Sequence, residues 1–468
     1  MKSNVFYFLV LAVLVFSCTS NHPKEDNLEP RIVHVWSGAV DTSSAEIGIA
    51  TFISTKVHIA FSTDSTVGEN LRYSDSFYTD SLSGYGSIGL DSLQPNTTYY
   101  YRGLIGDTIS GPIGKFKTHG PGIASFEFVF ASCMRTGSES QIFGAMADLD
   151  PLFYLNTGDF HYENIERNCK ENFRDAFRAN WMSKSQAKLF RTAPFIYMWD
   201  DHDYGPNNSS RKAPCRESAV QAYRQFVPHY PLAFDSKKGP VSQSFPMGRV
   251  RFILADLRSQ KVKPKYRDCE RISPGSNFGT DEHFNWFLNE LLLAKQRGEL
   301  VVWVSGIPFI NQPGGPNYDC DEDDDWGGYP EERKRIANFI SLHEIPICIL
   351  SGDAHMCAID DGSNSSYADV GSEGIPVFHA GPMHEETSYK GGPYSHGYSA
   401  SPYQFGVMRV NDDGGDGICI EWEARDINGA LVRVASQNGI QPLAYRFCRD
   451  LTPVENESFN SKNNSLDN

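Results

Sequence analysis

The chain has 468 residues, 40% of them hydrophobic, and a net charge of −16 from 58 acidic against 42 basic residues. That length supports two or three domains. The acidic balance leaves no basic stripe to meet a phosphate backbone, which argues against a nucleic-acid partner.

Taken in chain order, residues 1–18 combine a positive start at Lys2, an apolar run over 5–16 and Ser17 before Cys18. The run is too short to span a bilayer and reads as an export signal. Its ending, Val15-Phe16-Ser17-Cys18, resembles a bacterial lipoprotein box in which Cys18 carries the lipid, and a polar tether follows over 19–30. The expectation is an exported lipoprotein on the periplasmic or cell-surface side of a membrane. Residues 31–119 hold short alternating runs such as Ala45-Glu46-Ile47-Gly48-Ile49 and Val57-His58-Ile59-Ala60-Phe61, which predict half-buried strands. The stretch Leu93-Gln94-Pro95-Asn96-Thr97-Thr98-Tyr99-Tyr100-Tyr101-Arg102 resembles the corner of a fibronectin-type sandwich, where a tyrosine hydroxyl ties the turn. We therefore expect an all-β, fibronectin- or immunoglobulin-like domain without chemistry of its own.

After the linker Thr118-His119-Gly120-Pro121-Gly122, the pattern over 123–450 alternates strand-like and helical runs, as in an α/β domain. Strands are predicted at 126–132, 152–157, 195–199, 250–255, 300–305 and 345–350, and helices at 141–149, 171–189, 282–296 and 330–343. The stretch 405–426 returns to strands, and the polar tail 451–468 has the composition of a disordered segment.

In open α/β sheets, ligands gather at the carboxyl ends of the strands. The predicted runs are followed by Cys133-Met134-Arg135, by Gly158-Asp159-Phe160-His161-Tyr162-Glu163, by Asp200-Asp201-His202-Asp203, by Asp256-Leu257-Arg258, by Gly306-Ile307-Pro308-Phe309 and by Ser351-Gly352-Asp353-Ala354-His355. Gly-Asp after a strand is most often a turn, and an Asp-His pair is commonly a surface feature. Their joint placement at the ends of strands in one domain points instead to a multi-metal site, with oxygen and nitrogen donors and one thiolate. Cations there would hold the mutually repelling Asp200, Asp201 and Asp203 in place.

These motifs, with Ala131-Ser132-Cys133 and Trp326-Gly327-Gly328-Tyr329-Pro330-Glu331-Glu332-Arg333, resemble those of PhoD-type alkaline phosphatases in the calcineurin-like metallophosphoesterase superfamily. The likeness runs from about Arg31 to Ala435. It implies a four-layer αββα catalytic domain behind the β-sandwich, and a cluster of Fe3+ with Ca2+. On that pattern Cys133 is the iron-binding thiolate, matching the odd cysteine left once Cys18 is set aside from ten. Asp159 bridges two metals, and Tyr162 is a phenolate ligand. Asp201 stands where the wider superfamily has an asparagine ligand, and Asp353 and His355 complete the shells. Asn207 or Asn208 helps to hold calcium or phosphate. The chain departs from the family pattern at His161, at Asp203 in place of glutamate, and at Pro206 inside Gly205-Pro206-Asn207-Asn208.

The implied chemistry is hydrolysis of phosphate monoesters or diesters by a metal-activated hydroxide attacking in line. His202, positioned by Asp203 or a backbone carbonyl, protonates the leaving alkoxide. Arg135 neutralises a non-bridging oxygen or else forms a surface ion pair. A cysteine phosphatase is discounted, because the sixth residue after Cys133 is Glu139 and not arginine. The acidic stretch 319–325 lacks EF-hand spacing and reads as a solvated lid. His379, His384 and His396 read as solvated loop histidines, and Asp256 with Arg258 as a structural ion pair. Cys169, Cys215, Cys269, Cys320, Cys348, Cys357, Cys419 and Cys448 could form up to four disulfides, in connectivities the sequence leaves open. Two other readings stand beside the phosphatase: a phospholipase D-like phosphodiesterase on the same fold, and an inactive surface protein binding phosphorylated or glycan ligands.

Overall fold

A computed structural model describes residues 29–452, apart from 268–269, 312–323, 370, 372 and 437–438. The export signal with Cys18, most of the tether, Cys269, Cys320, most of the acidic stretch and most of the tail lie outside the described residues.

The first unit is a sandwich of two antiparallel sheets. One pairs Ile32–Gly38, Ala45–Thr51 and Tyr85–Leu90. The other is built on Lys56–Ser62 and Thr98–Ile105, with Arg72–Tyr73, Phe77–Tyr78, Ile109–Ser110 and Gly114–Lys117 at its margins. Alternate side chains of Thr98–Ile105 are buried, and Val35, Ile47, Ile59, Tyr99, Tyr101 and Phe116 fill the space between the sheets. The Tyr99 hydroxyl accepts the Gln94 N–H at 2.9 Å, the corner contact that the sequence led us to expect. The sandwich is joined to the second unit by an aromatic stack, in which Trp36 lies 4.2 Å from Trp181.

The second unit has the expected four layers. A six-stranded sheet runs, in spatial order, Phe195–Tyr197, Tyr154–Asn156, Phe126–Ala131, Gln404–Asn411, Gly417–Asp426 and Ala444–Asp450, the first three strands parallel. A seven-stranded sheet runs Gln243–Met247, Val250–Ala255, Leu300–Ser305, Ile347–Ser351, Val377–His379, Cys357–Asp360 and Tyr398–Ser399, its middle parallel. Every residue of Val250–Ala255 and Leu300–Ser305 is buried, because strands covered on both faces need apolar side chains on both. The sheets meet face to face through Phe153 against Phe252 at 5.6 Å and Phe130 against Phe378 at 4.9 Å. Asp281–Arg297 and Pro330–Leu342 cover the outer face of the second sheet.

Four expectations need correction. The helix predicted over 171–189 is two, Lys170–Met182 and Lys184–Thr192. Ser183 sits between them in extended conformation and its Oγ accepts the Gln186 N–H, so the chain stops and restarts on a new cap. Helices Asp201–Tyr204 and Arg216–Phe226 were not anticipated. The thiol of Cys133 is not alone: Cys215, Cys348 and Cys357 are also free and buried, serving as small apolar residues in a packed interior. Cys419 bonds Cys448 across neighbouring strands, and Cys169 is also in a disulfide. Finally, His379 is wholly buried within its strand and no loop residue.

Candidate metal centre

The parallel strands of both sheets point their carboxyl ends to one edge, and the segments that follow them deliver the ligand-type side chains there. Among the described residues, three groups have donor atoms within 4.8 Å of one another: Cys133, Asp159 and His355; Asp159, Asp200, Asp201 and Asp353; and Asp159, Asp201 and His202. Asp159 belongs to all three. The Tyr162 hydroxyl donates to Asp159 Oδ2 at 2.9 Å and lies 2.9 Å from His355 Nε2. Cys133, Asp159, Asp200, Asp201 and Asp353 are all buried.

The backbone is bent to make this possible. Cys133 (φ 62°), Asp159 (55°), Asn164 (47°), Asn208 (56°), Asp353 (59°) and His355 (46°) all occupy the left-handed region. Such residues each cost on the order of 1 kcal/mol, and they cluster where the surrounding fold over-determines them, typically at functional sites. Gly158, φ 125°, is obligatory: a Cβ there would stand 2.5 Å from Asp200 Cβ.

Burial, reinforced by the charges of Asp201 and Asp200, pushes the Asp159 carboxyl well above the usual range. Burial does the same to Asp200 in spite of Arg258, and to the Cys133 thiol and Tyr162 phenol beside Asp159. For His355 burial favours the neutral imidazole, the form that ligates metals. Asp201 is the exception: burial opposes its charge, but Arg258 and His202 outweigh that and hold it below the ordinary range.

Arg258 is therefore one cation that the acidic run needs. Its Nε lies 2.5 Å from Asp200 Oδ1 and its Nη2 2.8 Å from Asp200 Oδ2. The same guanidinium pairs with Asp324, which also takes Lys261 Nζ at 3.2 Å. This corrects two expectations. Arg258 does not pair with Asp256, whose Oδ1 accepts the backbone N–H groups of Arg258 and Ser259. Asp324 and Asp325, within the acidic stretch, are held inside: Asp324 by these cations, Asp325 by capping the turn at Trp326–Gly328.

Among the catalytic expectations, His202 is at the centre, but Asp203 does not orient it. Asp203 accepts the backbone N–H of His161 at 2.9 Å and of Asp200 at 3.0 Å, bracing the entry to helix Asp201–Tyr204. The partner of His202 Nδ1 is Asn164 Oδ1, at 2.7 Å. Arg135 turns from the cluster to Glu385, with its side chain 57% exposed, because the backbone bridge between Met134 and His384 brings Glu385 alongside. Asn208 reaches the site through its backbone, whose N–H meets Asp201 Oδ2 at 2.5 Å. His161 is buried beside Phe173 and Phe177 and held neutral.

Sequence reasoning missed Asp200 as a candidate ligand, Asn164 as the partner of His202, and Lys390, whose Nζ meets both oxygens of Asp353. Asp200 could have been found, since it stands in the same acidic run as Asp201. Asn164 and Lys390 carry no local signal.

The donor set fits metal ions. Asp159 Oδ1 and Asp201 Oδ1 are buried without a hydrogen-bond partner among the described residues, an arrangement that ordinarily calls for an ion or ordered water. A buried multi-carboxylate cluster, with a thiol and a phenol beside it, stands at the edge of the four-layer αββα sandwich. Residues 128–406 match the sequence model of the PhoD-like phosphatases, and the chain belongs to that family. It is 28% identical over 330 residues to alkaline phosphatase D of Bacillus subtilis (strain 168), covering 59% of this chain and 54% of that protein. The chain thus spans about half the length of that relative. A solved structure of PhoD superposes with a TM-score of 0.66 at 18% identity, over 93% of this chain and 97% of the other, a likeness of fold.

Proposed function

We propose that this chain is an exported, metal-dependent phosphoric ester hydrolase acting on phosphate monoesters, diesters or both. One observation carries the reading: among the described residues, three overlapping ligand groups share Asp159, whose Oδ1 is buried without a hydrogen-bond partner. The thiol of Cys133, the phenol of Tyr162 and the imidazole of His355 suit a transition metal such as ferric iron. The all-oxygen set of Asp159, Asp200, Asp201 and Asp353 suits calcium, with Asn208 at its margin. Bound cations supply Lewis-acid polarisation of the phosphoryl group and activation of water.

The residues of the chain do the rest. Asp159 holds the two halves of the centre in register, and Arg258 fixes Asp200 from behind. His202, its Nδ1 tied to Asn164, presents Nε2 about the cluster and delivers a proton to the departing alkoxide. Export and anchoring at Cys18 are supported by the apolar run over 5–16 and the small residue before the cysteine. Domain boundaries near 119 and 123 are supported by the change from sandwich to α/β layers.

The test is turnover of p-nitrophenyl phosphate against bis-p-nitrophenyl phosphate, with calcium, after chelation, and with Asp159→Asn. Turnover that chelation and the substitution both abolish supports the reading. Protein shown to hold its metals yet inert to both esters counts against it.

A further inference from the structure

Among the described residues, the cations around the centre fall into distinct kinds. Arg258 and Lys261 are wholly buried and tied to Asp200 and Asp324. Arg135 faces Glu385. Lys390 is different: its side chain is 37% exposed, and its Nζ lies 2.9 and 2.8 Å from the two oxygens of Asp353, a carboxylate of the centre that is itself buried. An ammonium has three N–H donors. With Asp353 taking two, the third is directed away from that carboxylate.

The segment that carries Lys390 is fastened on both sides of it. The Ser388 N–H donates to the His355 carbonyl, and the Gly392 N–H to the Ile310 carbonyl. Upstream, His355 Nδ1 donates to the Glu386 carbonyl at 2.5 Å. The same segment therefore orients a candidate ligand, His355, and holds an ammonium beside another, Asp353.

We propose that Lys390 is a substrate-binding residue, which donates its third N–H to a non-bridging phosphoryl oxygen while Asp353 anchors the ammonium. The inference rests on the hydrolase reading above. A charge-assisted bond of this kind is stronger the more negative the acceptor. Lys390 accordingly favours a dianionic phosphoryl group, whether a monoester or inorganic phosphate, over the monoanion of a diester.

The test uses the full chain, with metal content measured first, as Lys390→Met and Lys390→Arg. Inorganic phosphate binding is read by calorimetry, and kcat and KM are read with both nitrophenyl esters. The expected result for Lys390→Met is unchanged metal content, phosphate affinity and monoester KM each weakened about tenfold, and kcat within about threefold. The diester KM moves by less than about threefold, and Lys390→Arg recovers most of the loss. Unchanged phosphate affinity and KM in metal-replete Lys390→Met overturn the proposal. So does loss of metal with KM intact, which makes Lys390 only a brace for Asp353. Failure of the hydrolase reading is told apart by wild-type protein that binds phosphate but turns over neither ester, since the phosphate arm still tests Lys390.

Discussion

Arg258 grips Asp200 through two parallel N–H···O bonds, Nε to Oδ1 and Nη2 to Oδ2, with both side chains entirely out of solvent. Because the same guanidinium also pairs with Asp324, one substitution strands Asp200 and leaves Asp324 with Lys261 alone of its two paired cations. Arg258→Met is expected to cost about 3–5 kcal/mol of unfolding free energy, read from urea titration. Arg258→Lys should recover part only, since an ammonium cannot supply the parallel fork. A loss below about 1 kcal/mol for the methionine variant would mean the network is no more than a surface-like pair.

Asp203 is expected to matter for architecture before chemistry. Its two oxygens accept from the backbones of His161 and Asp200, and an amide can replace only one of them. Asp203→Asn should cost about 1–3 kcal/mol and speed amide hydrogen exchange at His161 and Asp200. Wild-type exchange at both positions would show that the contacts do not hold the loop.

Cation binding and stability should be linked through Asp159. At a cation concentration of about 100 Kd, wild-type stability should rise by roughly 2.7 kcal/mol. Asp159→Asn should lose most of that gain, yet be at least as stable as the wild type in chelator, because burial opposes the native charge there. Thermal unfolding with calcium and with chelator measures both. An Asp159→Asn variant still stabilised like the wild type would remove Asp159 from the centre.

His202 and Asn164 should act as a pair. His202→Ala is expected to lower kcat by about 10²–10⁴, and more for phenyl phosphate than for p-nitrophenyl phosphate, whose leaving group needs less protonation. Asn164→Ala should show the same leaving-group bias at about tenfold, because it frees the ring that Asn164 holds at 2.7 Å. Equal losses on both esters would assign His202 to metal ligation instead of proton delivery.

Acid should destabilise the protein through its buried neutral histidines, among them His34, His161 and His379. Burial, and the charge of Arg191, lower His34 to about 3, and burial lowers His379 to about 3, from the usual 6.5. Above 6.5 neither state is protonated and they add no pH dependence. As pH falls below 6.5 the unfolded chain takes up protons that the folded chain refuses. Stability then drops by about 1.4 kcal/mol per pH unit for each histidine. Urea titrations between pH 7 and 5 read the slope, and His379→Asn should reduce it by one histidine's share. An unchanged slope would refute the assignment.

The sequence alone determined, for local reasons, the alternation of strands with helices and the gathering of polar residues at strand ends, while the four layers and the ligand roles came from the family resemblance. Apolar-rich runs of six residues such as 250–255 and 300–305 suit strands covered on both faces, and in a chain that alternates such runs with helices the residues at the strand ends gather at one edge. Cys133, Asp159, Asp201, His202, Asp353 and His355 were legible there because each lies within a few residues of such an end. Tertiary structure decided the partners. Asp200 meets Arg258 from 58 positions away, Arg258 meets Asp324 from 66, Asn164 meets His202 from 38, and Lys390 meets Asp353 from 37. No periodicity links positions so far apart. Their pairing follows from the spatial order of the strands, which brings loops of two different sheets to one edge, where burial makes each unpaired charge costly enough to select its partner.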